Sequence, residues 1–148
     1  MNYRVIQLTN NNLPAVAANE NLPFGGITRS IRPKNGCCPT MTVSTSQADT
    51  VTLNENGNYN ISYTASLVAE AAGIISAALV INGTTLYTAS ASAAAVGDVV
   101  TLSFVYQTKV CPCCGGTPVS CPANVRISLG DVAITGGTSN LLIERVYI

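Results

Sequence analysis

The sequence predicts an all-β fold, a two-sheet antiparallel sandwich, on three observations. Apolar residues recur at every second position through most of the chain, the alternating runs are short and bounded by Asn-, Gly- and Pro-rich turns, and no stretch sustains a convincing helical period. The 148 residues suit one domain with a sizeable buried core. Roughly eight to ten short strands in one compact chain bury their apolar faces only by closing into a sandwich or barrel.

In chain order, residues 3–9 form the first strand, and residues 26–32, 41–46 and 50–54 supply short ones. Tyr59, Ile61, Tyr63, Ala65 and Leu67 then alternate with Asn60, Ser62, Thr64 and Ser66, a long strand with one apolar and one hydroxylic face. The following SLVAEAAGIISAALV has the Ala, Leu and Glu of a helix, but Gly73 interrupts it and Ile74-Ile75 restart a period of two, so strand is expected. Ile75, Ala77, Leu79 and Ile81 end at Asn82-Gly83, a dipeptide that tolerates the positive φ angles of a tight hairpin turn, and TTLYTASASA returns on the other side. Val100, Leu102, Phe104 and Tyr106 face inward on a strand that runs into Cys111. Val125, Ile127 and Leu129 are expected as its return partner, which makes KVCPCCGGTPVSCP between them a hairpin tip. Residues 139–147 form the last strand, with Leu141, Ile143 and Tyr147 on one side and Leu142, Val146 and Ile148 on the other.

Composition excludes several functions. Seven basic and seven acidic side chains cancel, and only 9 % of residues are charged, so the electrostatic footprint of a nucleic-acid or anionic-lipid binder is missing. No apolar run approaches the ~20 residues that span a bilayer, and no membrane insertion is expected. The amino-terminal MNYRVIQLTNNN lacks the pattern of a secretory signal, so synthesis in the cytoplasm is expected. Asn60-Ile61-Ser62 and Asn82-Gly83-Thr84 match the glycosylation pattern by chance in a chain rich in Ser, Thr and Asn. The absence of histidine removes the usual general base and the Ser-His-Asp and Cys-His arrangements. Glu55, Asp98, Asp131 and Glu144 are dispersed over turns and strands, and Arg29, Arg32 and Lys34 read as a solvated strand edge that resists aggregation. No catalytic residue is assigned, and the protein is expected not to be an enzyme.

Gly57-Asn58-Tyr59-Asn60-Ile61-Ser62-Tyr63, Leu79-Val80-Ile81-Asn82-Gly83, Val96-Gly97-Asp98-Val99-Val100-Thr101-Leu102 and Thr138-Ser139-Asn140-Leu141-Leu142-Ile143-Glu144-Arg145 follow one another in an order and spacing that resembles the C1q/TNF-like jelly rolls. The likeness is nearest to their bacterial and phage branch, which includes small phage head proteins and the tip domains of collagen-like spore-surface glycoproteins. It covers roughly residues 24 to 148, and it implies a homotrimer of ten-stranded jelly rolls with a display or decoration role. Residues 1–22 are expected as an amino-terminal strand and attachment segment, and residues 23–148 as the jelly roll. No Gly-X-Y stalk is present, in contrast to the spore-tip proteins. Phe104, Tyr106 and Tyr147 are the candidates for core or trimer-axis packing.

The six cysteines stand in two clusters, Cys37 with Cys38, and Cys111, Cys113, Cys114 and Cys121. C-x-x-C spacing occurs once, from Cys111 to Cys114, so half of a zinc-ribbon pattern is missing. A thioredoxin-like motif needs its cysteine at a helix amino terminus, and this one lies between strands. Disulfide staples are the favoured reading, with both clusters placed at one pole of the sandwich. A structural zinc held by thiolates is the alternative, and free thiols are the third; otherwise no cofactor is expected.

Three functions follow from different classes. The first is a structural protein of a virion surface, a phage capsid-decoration or head-fibre subunit docked to a capsid or other shell protein. The second is a bacterial spore or cell-surface protein of the same fold. The third, a carbohydrate-binding module, is disfavoured because such sites commonly use exposed aromatic platforms, and the chain has no Trp and two Phe.

Overall fold

The computed structural model describes residues 4–31, 41–43, 48–110 and 122–146, and these hold ten β-strands and no helix. They are β1 (Arg4–Leu13), β2 (Gly26–Ile31), β3 (Met41–Val43), β4 (Val51–Leu53), β5 (Gly57–Ala69), β6 (Gly73–Ile81), β7 (Thr84–Ala93), β8 (Val99–Val110), β9 (Ala123–Leu129) and β10 (Ile134–Val146). Two antiparallel sheets of five strands form, in the orders β2-β1-β10-β5-β8 and β3-β4-β9-β6-β7. The expected all-β, two-sheet antiparallel architecture is therefore present.

The period of two in the sequence reappears as alternating burial. On β5, Tyr59, Ile61, Tyr63, Ala65, Leu67 and Ala69 are buried while the residues between them face outward, and β6 and β9 repeat the pattern. Burying side chains of this size removes roughly 25 cal/mol of unfavourable hydration per Å² of apolar surface, which outweighs the helix propensity of residues 66–80. Residues 70–72 turn between β5 and β6, where Gly73 interrupts the Ala-rich run. At the β6–β7 hairpin, Asn82 (φ 51°) and Gly83 (φ 81°) both take positive φ, as the dipeptide predicts.

The pairing of β8 differs from expectation. β8 pairs with β5 in the first sheet, whereas β9 pairs with β4 and β6 in the second, so the cysteine-bearing segment joins two sheets and is not the tip of a hairpin. Alternation shows which side of a strand is buried but is blind to the sheet that the strand joins.

The amino-terminal segment is built into the same core. β1 lies between β2 and β10, with Leu8 and Leu13 buried. The chain then crosses to the second sheet. Val16 N donates to Ile134 O (3.0 Å), Leu22 N to Ile127 O (2.8 Å) and Phe24 N to Ala48 O (2.7 Å), and Val16, Leu22 and Phe24 close that side of the sandwich. The expected boundary at residues 22 and 23 thus falls inside one hydrophobic core. The opposite side of the sandwich, between β7 and β8, has no such strap among the described residues.

Candidate interaction surface

β7 and β8 are neighbouring edges of the two sheets, and the core reaches the surface between them. Phe104 is buried and Tyr106 half-buried on the inward side of β8. Tyr87, on the facing side of β7, stacks obliquely on Phe104 at 5.5 Å and on Tyr106 at 6.4 Å, and Phe104 meets the buried Tyr63 at 5.8 Å. Tyr87 is nevertheless 45 % exposed, a large aromatic side chain left half in water. Phe104 is a member of the buried core. Tyr147 and all six cysteines lie outside the described residues.

Tyr87 was not singled out in the sequence. Its strand reads as an undistinguished Thr/Ser/Ala run, and a register shift between Leu79 and Val80 decides that Tyr87 pairs with Leu79 and faces the core side. The readable signal was the absence of charge. Exposed sheet edges are ordinarily blunted by charged residues, Pro or brevity. The edge strand β2 carries Arg29, and β3 is three residues long. β7 has no charged residue over ten positions, and β8 has only Lys109 over twelve. This pair of edges is undefended.

The outer face of the first sheet continues this neutral surface. Register places Leu142, Ser62 and Val105 in one row across β10, β5 and β8, then Asn140, Thr64 and Ser103, then Thr138, Ser66 and Thr101. Val105 is 70 % exposed. Along β10, β5 and β8 charges enter only at the end where β5 begins, with Glu144 and Lys109, while Arg29 on β2 ends the Leu142 row beyond Gln7. At that end Arg145 Nη1 donates to Glu55 Oε2 at 2.9 Å and Tyr59 Oη to Glu55 O at 2.7 Å, tying the start of β5 to the end of β10. At the far end Asp98 Oδ2 accepts from Ala94 N (2.9 Å) and Ala95 N (3.0 Å), which fixes the β7–β8 loop and holds Val96 out in solvent.

No grouping of acids and thiols among the described residues could hold a metal ion. Glu55, Asp98, Asp131 and Glu144 do not converge; Glu55 and Asp98 have the structural partners just described. One buried titratable group stands apart. Burial pushes the Tyr63 hydroxyl well above its ordinary pKa, and the neighbouring Ser139 hydroxyl offsets part of the rise. The two oxygens do not reach hydrogen-bond geometry, and neither has another partner among the described residues, so burial decides. This tyrosine is a protonated core residue.

No protein-family model and no curated protein sequence matches the chain. Solved structures do match. An Eiger TNF from S. frugiperda superposes with a TM-score of 0.72 at 9 % identity, covering 99 % of this chain and 94 % of that one. The globular domain of zebrafish complement 1qA superposes with a TM-score of 0.63 at 9 % identity, covering 98 % of both chains. PRD1 vertex protein P5 gives 0.61 at 16 % identity over 97 % of both. Together with the strand order and the absence of helix among the described residues, these likenesses make the fold a TNF/C1q-like jelly roll.

Proposed function

We propose that the protein is a non-enzymatic structural subunit of a particle surface, a phage capsid-decoration or head-fibre protein that works as a homotrimer. The observation that carries the reading is the undefended β7–β8 edge, two long neutral strands with Tyr87 and Val105 exposed. A monomer with such an edge is prone to uncontrolled association. Closed symmetry removes the hazard. The edge and the outer face of β10 and β5 are two different patches with uncharged centres, and a contact between unlike patches closes into a ring when the rotation permits. Three copies with edge against face satisfy that requirement, and the charged rows of Glu144 and Lys109 then form the rim, as interfaces deplete charge at their centres. The likeness to PRD1 vertex protein P5 supports a place on a particle shell. The amino-terminal strap offers a docking end: Pro14, Ala15, Ala17 and Glu20 are exposed on a segment bonded to Gly130 and Ile134.

Light scattering on the purified full chain tests the assembly. The expected mass is three times 15.3 kDa, and Val105→Lys reduces it to a monomer that keeps its β-sheet circular dichroism. A monomeric wild type at micromolar concentration overturns the trimer; a trimeric Val105→Lys variant overturns the edge assignment. Immunogold labelling of particles from the source tests the location, and label on cell or spore surfaces in place of capsids would move the protein there.

A further inference from the structure

We propose that the outer face of the first sheet carries, where β5 begins and β8 ends, a binding site for an acidic sugar, a hexuronate unit with a single carboxylate. A cavity of about 420 Å³ opens there, lined by Asn58, Asn60, Gln107, Thr108, Lys109 and Val146. Strand register brings these residues together. Val146, Asn58 and Lys109 lie side by side across β10, β5 and β8, and Asn60 and Gln107 form the next row.

Some outward polar side chains elsewhere on the two sheets engage one another. Gln7 Nε2 donates to Asn140 Oδ1 at 3.1 Å, Thr52 Oγ1 donates to Asn124 Oδ1 at 2.9 Å, and the Ser66 and Thr101 hydroxyls share a bond of 3.4 Å. The Asn58, Asn60, Gln107 and Lys109 side chains have no such bond and no ion pair among the described residues. Three side-chain amides and an ammonium therefore converge on one concavity with their hydrogen-bonding capacity unused.

Their chemistry selects the ligand. Each amide offers two N–H donors and a carbonyl acceptor, the complement of vicinal hydroxyls that both donate and accept. Lys109 contributes one positive charge, which matches one carboxylate. Glu144 stands beside Asn60 on β10 and repels an anion from that side, so the carboxylate has its place over β8 and the sugar hydroxyls lie toward β10. No aromatic ring lines the cavity, and a single site is accordingly weak, in the millimolar range; three copies on a trimer gain by avidity. The site takes in the charged end of β8, at the rim of the edge-to-face contact; binding by a single copy does not depend on the particle reading, whereas the gain by avidity rests on the trimer.

Backbone amide shifts of the isotope-labelled full chain, titrated with D-glucuronate, D-glucose and inorganic phosphate in turn, test the site. D-glucuronate is expected to give saturable shifts at Asn58, Asn60, Gln107 and Lys109, with glucose and phosphate each about tenfold weaker. Lys109→Gln should weaken glucuronate about tenfold, leave glucose unchanged and keep the wild-type melting temperature. Phosphate binding as tight as glucuronate reduces the site to a simple anion contact and overturns the proposal. So does the absence of saturable shifts, or undiminished glucuronate binding in both Lys109→Gln and Asn60→Ala.

Discussion

Tyr63 shows how a single buried hydroxyl acts on stability. The folded state raises its pKa by burial, so the folded chain holds this proton more tightly than the unfolded chain, where a tyrosine titrates near ~10. Its contribution is complete below about pH 10 and is lost as the pH climbs from there toward the raised folded value. Tyr63→Phe removes both the titration and a hydroxyl without a partner. The melting temperature at neutral pH is expected to stay level or rise, and the alkaline decline attributable to this residue to disappear, in thermal melts recorded against pH. Phe104 is a different case. It bridges Tyr63 and Tyr87, so Phe104→Ala opens a hole between the two edge strands and should cost on the order of 3–5 kcal/mol in denaturant unfolding. Phe104 was recognisable in the sequence because its inward position follows from alternation with Leu102 and Tyr106. Tyr87 was not, because a bulge shifts its register and no local pattern announces one.

Strand β1 carries the main lesson among the elements. The sequence suggested residues 1–22 as a segment added to the jelly roll, yet β1 has a partner on each side and the strap after it buries Val16 and Leu22. Removing residues 1–22 strips β10 of its neighbour and opens the core, so the truncated chain is expected to lose cooperative unfolding, as a calorimetric scan would show. A truncated chain with a sharp transition would restore the segment to the status of an appendage. The β7–β8 loop tests a subtler matter. Asp98→Ala removes the acceptor for two backbone N–H groups and should cost about 1 kcal/mol, with faster hydrogen exchange confined to Ala94 and Ala95. Existence and order of the strands were readable, because each is set by its own alternation and turn residues. Their partners were not, as β8 and β9 illustrate: strands that follow one another across a turn-rich segment look like a hairpin until the sheets are assembled.

For the whole molecule, the strands that flank the cysteine clusters bear on how the cysteines pair. Ile31, Val110 and Ala123, the described ends of the strands that flank the two cysteine clusters, lie at one pole of the sandwich. This supports the proposal of disulfides between Cys37 or Cys38 and the later cluster, formed within a protomer or between neighbours in an oxidising environment. Mass spectrometry of unreduced protein is expected to show those cross-links. Free alkylation of the thiols together with a melting temperature lowered by a chelator would replace disulfide with zinc.

The sequence by itself determined that the chain is all-β, where most strands lie, which side of each is apolar, and that it has no histidine. Those properties are local: side-chain period, turn chemistry and composition are written in consecutive residues. Only the tertiary structure decided which strands share a sheet, that β1 and the strap after it belong to the core, that the sparsely charged β7 and β8 stand together as an open edge, and that Asn58, Asn60, Gln107 and Lys109 converge. Each of these depends on backbone hydrogen bonds between residues distant in the chain, and the side-chain period of a strand is the same whichever partner those bonds select.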